Sequence, residues 1–250
     1  MPVCESRDAA VNLLNWSSDF VQTNARTLPH DEIHVWQLCE VEQHSLDSLK
    51  DLLSQDELER AARFRFSKDR DRFIASRGIL RTLLAAYLGC DPGSLHFLYS
   101  EKGKPQLPAA PDLHFNVAHS GEIIVWAFAR ERRVGIDVEE IRTDFSTSDI
   151  AERFFSKGER QALRSLPTTQ RHLAFFRCWT RKEAFVKATG DGLSLPLDQF
   201  DVTLAPGQPA QLLQTRPDHR DAERWTMHNL DLHPNYAAAL VIERHASPER

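Results

Sequence analysis

Two parts of the sequence predict the same succession of elements. In each part, apolar residues at helical spacing form a long helix, a glycine ends it, and a short apolar strand follows. The matching pieces are the helices Phe73–Leu88 and Phe175–Ala188, the glycines Gly89 and Gly190, and the strands Leu95–Tyr99 and Phe200–Leu204. A helix of this kind must bury its apolar face on another element. We therefore expect an α+β fold of two pseudo-symmetric lobes, each a small antiparallel sheet packed with a long helix, with a cleft between them.

The limits of these lobes follow from the apolar strands that close each half. The strand Ile123–Ala129 precedes a charged stretch, and the strand Tyr236–Ile242 precedes a polar tail. We predict an N-terminal lobe over residues 31–131 and a C-terminal lobe over residues 132–250. Residues 1–30 show no clear periodicity and are predicted to form an N-terminal arm.

The composition limits what such a chain does. Its 250 residues are 41% hydrophobic and 27% charged, as in a globular protein with a core. The net charge of −5 gives no support to nucleic-acid binding. The four cysteines form no paired motif, which argues against a zinc cage or a disulfide scaffold. No apolar run reaches the about 18 residues of a membrane span, and the N-terminus has no secretory pattern, so we expect a cytoplasmic protein without membrane contact.

A first acidic motif lies at residues 134–139, which read Val-Gly-Ile-Asp-Val-Glu. In a strand, Gly135, Asp137 and Glu139 share one face, and the two carboxylates are about 7 Å apart at Cα. Both can therefore reach one hard cation, and Gly135 would leave room for a ligand above that face. The same pattern is also typical of an ordinary half-buried strand with a solvated acidic face.

A second motif, Trp-Thr-Arg-Lys-Glu-Ala-Phe-Val-Lys, begins at Trp179. Trp179 and Val186 mark the buried side of the predicted helix, and Glu183 and Lys187 lie near its edge, one turn apart. Such a pair suits a metal-bound phosphate, but most pairs of this spacing only stabilise a helix by a few tenths of a kcal/mol. Lys182 is interpreted either as a surface charge or as an ion-pair partner.

A polar turn between two apolar strands is the third feature. His119 and Ser120 follow the predicted strand Leu113–Val117 and offer an imidazole, a hydroxyl and backbone amides to an anion such as phosphate. A hairpin turn explains the same residues without any function. Upstream, Lys102 and Lys104 lie in a small basic loop that is typical of a solvated turn.

Arginines are frequent at the start of the first long helix, and arginine suits paired contacts to phosphate. They are Arg60, Arg63, Arg65, Arg77 and Arg81. Because a helix of this length carries several arginines in many soluble proteins, we predict that most of them lie on the surface.

The order of the motifs is more specific than any one of them. Lys-Gly-Lys-Pro, Phe-Asn-Val-Ala-His-Ser-Gly, Gly-Ile-Asp-Val-Glu and Trp-Thr-Arg-Lys-Glu-Ala-Phe-Val-Lys follow one another within residues 33–243. This arrangement resembles the surfactin-type 4′-phosphopantetheinyl transferases. The resemblance implies magnesium-dependent transfer of the 4′-phosphopantetheine arm of coenzyme A to a serine of an apo acyl- or peptidyl-carrier protein, with release of 3′,5′-ADP. It also implies two pseudo-symmetric lobes with the cofactor in the cleft.

The resemblance also assigns roles to the residues that match the motifs. Asp137, Glu139 and Glu183 would hold Mg²⁺ on the pyrophosphate. Glu183 would help to deprotonate the incoming serine, and Lys187 would neutralise or protonate the leaving phosphate. The implied catalytic residues are Glu183, Lys187, Asp137 and His119, and the implied coenzyme A ligands are Arg60 at the 3′-phosphate with Lys102, Lys104, His119, Ser120 and Lys187.

Two positions depart from the family pattern. Ala118 stands where the family commonly has a serine, and Tyr99 stands where an arginine or another polar residue is frequent. The implied partners are carrier domains of fatty-acid, polyketide or nonribosomal-peptide synthesis, and two fused lobes can supply the whole cleft in a monomer. The residues alone leave two other functions open: a protein that binds carriers or coenzyme A without turnover, and a metal-dependent pyrophosphate hydrolase.

Overall fold

The computed structural model describes residues 9–17, 26–41, 45–100, 103–144, 146–216 and 218–245. Lys102 and much of the predicted arm lie outside these ranges. Within them, no helix has both the length and the apolar character that crossing a membrane requires.

Elements of the same kind follow one another in both halves of the chain. The first half contains β1 (Ala10–Asn15), β2 (Glu32–Leu38), α1 (Leu46–Lys50), α2 (Gln55–Ala62), α3 (Ser67–Leu88), β3 (Leu98–Tyr99), β4 (Pro105–Gln106), β5 (Leu113–Ser120) and β6 (Ile123–Arg130). The second half contains β7 (Val134–Glu140), α4 (Thr147–Phe154), α5 (Lys157–Ser165), α6 (Thr168–Thr189), β8 (Phe200–Val202), β9 (Leu212–Thr215), β10 (Trp225–Asn229) and β11 (Tyr236–Glu243). The long helices α3 and α6 end, as predicted, at glycines in the left-handed conformation, Gly89 and Gly190.

Each half has its own sheet. The N-terminal sheet has the strand order β1-β2-β6-β5, and the C-terminal sheet has the order β10-β11-β7. Neighbouring strands in both sheets are antiparallel, except that β1 runs parallel to β2. The predicted α+β fold, with one long helix packed on a small sheet in each half, is confirmed.

Residues 10–15, which belong to the predicted N-terminal arm, form the strand β1. This strand pairs in register from Ala10 opposite Glu32 to Asn15 opposite Gln37. β1 is an edge strand, and Leu13 in it is 43% exposed. Its sequence lacks the regular alternation of apolar and polar residues that identifies a half-buried strand. The division of the remaining chain at residue 131 stays a prediction.

The two sheets face each other across a shared apolar layer. Ile33 and Val35 of β2 and Val125 of β6 pack with Ile136 of β7 in this layer, while α3 and α6 cover the outer faces. The edge strands β5 and β7 are thereby neighbours, and the Ile136 N–H donates to the side-chain oxygen of Asn116 at 2.9 Å. The polar turn and the first acidic motif therefore lie at one junction between the sheets.

Capping boxes open two of the shorter helices. The backbone N–H of Ser54 donates to Glu57 at 3.0 Å before α2, and that of Ser156 donates to Glu159 at 2.9 Å before α5. Both glutamates are almost fully buried, with 2% and 3% of their surface exposed. Each carboxylate must therefore have a further partner inside the protein.

The further partner is, in both halves, a cation on the long helix that follows. Glu57 pairs with Arg81 of α3 at 2.7 Å, and Glu159 pairs with Lys182 of α6 at 2.8 Å. Each cation also donates to two backbone carbonyls beyond its helix: Arg81 to Pro92 and Leu95, and Lys182 to Leu197 and Phe200. The ion-pair interpretation of Lys182 is confirmed.

The predicted exposure of the arginines holds for only part of the set. Arg60, Arg63 and Arg65 are exposed. Arg77 and Arg81 are buried, with 9% and 1% of their surface exposed, so most of the five arginines lie on the surface as predicted and these two are the exceptions. The physical reason is that Glu57 lies between them inside the protein and balances part of their charge.

Candidate functional site

The strand β7 and the helix α6 touch at Gly135. A Cβ atom on this residue would overlap the carbonyl oxygen of Ala184 and the backbone nitrogen of Ala188. The expected ligand space above Gly135 is therefore wrong, because the backbone of α6 fills it. What the glycine permits is a close approach of helix and strand, which brings Glu183 and Lys187 to the acidic face of β7.

Asp137 and Lys187 form an ion pair at this contact. The Lys187 Nζ donates to Asp137 Oδ1 at 2.7 Å. Asp137 is only 5% exposed, and its Oδ2 atom has no hydrogen-bond partner among the residues described. Burial raises the pKa of Asp137 to about 6 against the opposing effect of Lys187, and the charge of Glu183 adds to the rise. The environment of Asp137 therefore disfavours its ionised form, and Lys187 offsets only part of this effect.

Glu139 and Glu183 belong to the same electrostatic cluster. Burial is the main cause that raises the pKa of both carboxyls. The charge of Asp137 adds to the rise at Glu139, and the charge of Glu139 adds to the rise at Glu183. The two acidic motifs, which are more than 40 positions apart in the sequence, therefore meet in space as the sequence analysis expects.

Ser120 connects this cluster to the end of β5. Its hydroxyl donates to Glu139 Oε2 at 2.8 Å and accepts the Glu140 N–H at 3.1 Å. The predicted coenzyme A ligand Ser120 is thus already bonded to β7, and its contact with a cofactor stays a prediction.

A cavity of about 900 Å³ lies between the two long helices and beside the cluster. Five residues predicted for the site line it: Arg60, Lys104, His119, Glu183 and Lys187. Asp137, Glu139 and Ser120 are not in its lining, although Asp137 contacts it through Lys187. The volume is within the range of cavities that hold cofactor-sized ligands.

Lys104 places a positive charge beside Lys187, and the imidazole of His119 lies near Lys187 and Arg72. The Lys104 Nζ donates to the Lys187 carbonyl oxygen at 2.6 Å, which ties the β3–β4 hairpin to α6. Burial lowers the pKa of Lys104 to about 8, and the charges of Arg133 and Lys187 lower it further. The pKa of His119 is lowered first by loss of hydration and then by Arg72 and Lys187. Anionic groups would relieve this accumulation of cations.

Arg72 is a site residue that the sequence analysis missed. It lines the cavity and donates to the carbonyl oxygen of Gly121 at 2.9 Å, while Asp69 accepts from it at 2.6 Å. It thereby holds the turn that carries His119 and Ser120. Arg72 lies in the first turns of α3 and belongs to no motif in the sequence. Only its position on the side of the helix that faces the cavity could have indicated it.

The carboxylates fit a hard cation that binds together with a substrate. Within the described part of the chain, no three His, Cys, Asp or Glu side chains are close enough to form a metal site by themselves. Mg²⁺ usually takes one or two protein carboxylates and completes its shell with phosphates and waters. The unpartnered Oδ2 of Asp137 and the cavity-lining carboxylate of Glu183 supply oxygens of that kind.

We expect Asp137→Asn to stabilise the protein increasingly as the pH rises. A carboxyl whose pKa is raised on folding favours the native state below its unfolded pKa and loses that contribution as the pH passes its folded pKa. Raising the pKa from 3.8 to about 6 corresponds to about 3 kcal/mol. Urea unfolding of variant and wild type from pH 4.5 to 7.5 should therefore give a difference that grows over this window. A difference that stays constant with pH would contradict the assigned environment of Asp137.

Comparisons with known proteins agree with this geometry. Residues 133–241 match the 4′-phosphopantetheinyl transferase superfamily, and residues 36–131 match the N-terminal region of 4′-phosphopantetheinyl transferases. The 4′-phosphopantetheinyl transferase HetI of Nostoc sp. is 41% identical over 86% of this chain and 90% of its own length. The 4′-phosphopantetheinyl transferase Sfp of Bacillus subtilis is 33% identical over 79% of this chain and 85% of its own.

A solved structure, the holo-[acyl-carrier-protein] synthase of Thermotoga maritima, is 24% identical over 45% of this chain and 63% of its own, with a TM-score of 0.36. That likeness is too slight to bear on the assignment, which depends on the sequence relatives. The chain belongs to the 4′-phosphopantetheinyl transferase superfamily. Within it, the chain is an enzyme of the Sfp type.

Proposed function

We propose that this protein transfers the 4′-phosphopantetheine group of coenzyme A to a serine hydroxyl of an apo carrier protein and releases 3′,5′-ADP. The observation that supports this most is the cluster of Asp137, Glu139, Glu183 and Lys187 beside a cavity of cofactor size. The cluster brings together carboxylate oxygens that can bind a cation, a carboxylate that can act as a base and a lysine that can act as an acid. The cavity offers further positive charge for phosphates.

Glu183 is proposed as the base that takes the proton of the carrier serine. It lines the cavity, and burial raises the pKa of its carboxyl toward neutrality. A carboxylate whose pKa lies closer to the working pH binds a proton more strongly. Proton transfer from the serine hydroxyl to such a carboxylate is therefore more favourable.

Lys187 is proposed to act on the leaving group. Its Nζ is held by Asp137 at 2.7 Å and lies on the cavity wall, where it can neutralise the phosphate of 3′,5′-ADP or give it a proton. His119 and Lys104 would bind other phosphate oxygens from the opposite lobe. In phosphoryl-type transfer, positioning and charge compensation account for most of the rate enhancement.

Asp137, Glu139 and Glu183 would hold the magnesium ion that the family resemblance implies. When bound, such an ion supplies positive charge that offsets the charge developing on the pyrophosphate oxygens. In addition, Asp137 orients Lys187 through their ion pair, and Ser120 orients Glu139 through a hydrogen bond.

The proposed partners are apo acyl- or peptidyl-carrier proteins of fatty-acid, polyketide or nonribosomal-peptide synthesis. Because both long helices and both sheets that flank the cavity belong to one chain, a monomer can carry out the reaction. We propose the monomer as the active form.

Incubation with coenzyme A, Mg²⁺ and a panel of apo carriers should raise the mass of at least one carrier by one phosphopantetheine group. The same mixture with EDTA in place of Mg²⁺ should give no mass gain. A carrier whose active serine is replaced by alanine is the matched control. The proposal fails if no carrier gains mass, and release of 3′,5′-ADP without any carrier would instead identify a pyrophosphate hydrolase.

A further inference from the structure

Two arginines of α3 share a single carboxylate inside the protein. Glu57 Oε2 lies 2.7 Å from Arg81 Nε, and Glu57 Oε1 lies 3.2 Å from Arg77 Nε. Glu57 is the carboxylate that acts on the charge of Arg77 within the described part of the chain. The cluster of two guanidinium groups and one carboxylate thus has an excess positive charge, although all three side chains are at least nine-tenths buried.

The two arginines differ in how far their hydrogen bonds are satisfied. Arg81 donates to Glu57 and to the carbonyl oxygens of Pro92 and Leu95, the last two at 3.0 Å. Arg77 has the more distant ion pair, and its buried Nη1 atom has no hydrogen-bond partner among the residues described. The excess charge therefore belongs to Arg77. Burying an uncompensated charge costs several kcal/mol unless a partner is supplied.

Arg77 faces the cavity, and a second cation accompanies it there. Arg77 and Arg60 both line the cavity, and their guanidinium carbons lie 5.9 Å and 5.4 Å from the centre of the same Phe73 ring. Arg77 also lies 5.2 Å from the ring of Phe97 and 5.8 Å from that of Tyr99. Aromatic faces attract a guanidinium but leave its hydrogen-bond donors unpaired. Among the described residues, Arg60 has no ion-pair partner, and Arg77 has only the carboxylate that it shares with Arg81.

The cavity thus has two separate groups of cations. One consists of Lys104 and Lys187 beside the carboxylate cluster, and the other consists of Arg60 and Arg77 among aromatic rings of the N-terminal half. A ligand with two separated phosphate groups and an aromatic base matches such a cavity. Coenzyme A has this chemistry, with a pyrophosphate, a 3′-phosphate and an adenine.

We propose that Arg77 is a specificity-determining residue that binds the 3′-phosphate of coenzyme A together with Arg60, and so distinguishes coenzyme A from dephospho-coenzyme A. This inference rests on the proposed function. The guanidinium is held in place before the ligand arrives, by Glu57 at its Nε and by the three rings. Without a ligand, the charge of Arg77 is only partly balanced by Glu57. A bound phosphate would supply the missing negative charge.

Titration calorimetry with coenzyme A and dephospho-coenzyme A tests the proposal through Arg77→Gln. The variant should bind coenzyme A about 10- to 100-fold more weakly, which is the loss of one charge-assisted contact. Its affinity for dephospho-coenzyme A should change less than about twofold, since that ligand lacks the phosphate. Arg77→Lys should recover part of the discrimination. Arg63→Gln, an exposed arginine outside the cavity lining, is the matched control and should behave as wild type.

Thermal unfolding separates this role from a purely structural one. Arg77→Gln leaves Glu57 and Arg81 as a balanced pair, so its Tm should equal or exceed that of wild type. Arg81→Gln removes the better-satisfied partner and should lower the Tm. The inference is overturned if Arg77→Gln weakens both ligands equally, or if it lowers the Tm and leaves the discrimination unchanged. A wild-type protein that binds neither ligand would refute the proposed function itself and the inference with it.

Discussion

Glu183→Gln should reduce the rate of phosphopantetheinyl transfer by about 1,000-fold or more. A positioned base typically contributes 10²- to 10⁴-fold, and the same substitution removes one of the oxygens proposed for the metal. Glutamine has nearly the same shape, so the lining of the cavity is retained. Among the described residues, Glu183 makes no hydrogen bond or ion pair, and burial disfavours its charge, so its replacement should not lower the free energy of unfolding at neutral pH.

Single-turnover measurement with saturating coenzyme A and carrier gives the chemical step that this prediction concerns. Binding of coenzyme A without metal should stay within a few-fold of wild type, because the two groups of cations are unchanged. Glu223→Gln, an exposed glutamate near the start of β10, is the matched control for loss of a negative charge. Transfer by Glu183→Gln at the wild-type rate would remove Glu183 from the catalytic role.

Local periodicity was sufficient to predict the elements that carry the chemistry. The alternation of residues 134–139 indicated a strand with Asp137 and Glu139 on one face, and β7 spans Val134–Glu140. The helix that carries Glu183 was predicted over Phe175–Ala188, and α6 spans Thr168–Thr189. Both patterns are set by contacts within a few residues, which a single sequence displays.

The environments of charged residues could not be predicted in the same way. Lys182 is 0% exposed and Arg81 is 1% exposed, because each meets a carboxylate more than 20 positions away in the sequence. The spacing of Ser54 and Glu57, and of Ser156 and Glu159, is typical of a helix N-terminus, but it does not indicate that the glutamates are the buried partners of those cations. Whether a charge is buried depends on long-range partners, and a single sequence does not display them.

The Gly135 contact illustrates the same limit at the site itself. A glycine beside two carboxylates suggests space for a ligand, but the structure fills this space with the backbone of Ala184 and Ala188. The short strands β1, β3 and β4 were missed or misplaced for a related reason. They are two to six residues long and depend on a neighbouring strand rather than on their own pattern.

The two halves of the chain share buried ion-pair contacts that their weak sequence similarity does not show. Arg81 and Lys182 lie eight residues before the terminal glycines Gly89 and Gly190, and each joins a capping-box glutamate to two carbonyls beyond its helix. Only the second copy has an acidic residue after the buried cation, namely Glu183, where the first copy has Thr82. The same scaffold therefore carries the proposed nucleotide binding in one half and the proposed catalysis in the other.

Lys182→Met should lower the free energy of unfolding by about 3–5 kcal/mol, because it leaves the Glu159 carboxylate buried without its charge partner. The lost contacts are the ion pair at 2.8 Å and the hydrogen bonds to Leu197 at 2.6 Å and Phe200 at 2.7 Å. Methionine has a similar length, so packing in the helix interface is largely retained. Urea unfolding at pH 7 measures the effect.

The double variant Lys182→Met with Glu159→Gln should recover part of this loss, since it no longer buries an unpaired charge. Arg81→Met in the first half is the internal comparison. It loses the equivalent three contacts, but it leaves Glu57 beside Arg77, so its cost should be smaller. Lys157→Met, which removes an exposed lysine of α5, should cost far less stability. If Lys182→Met stayed within about 1 kcal/mol of wild type, the buried ion pair would have no part in holding α6 and its Glu183 in place.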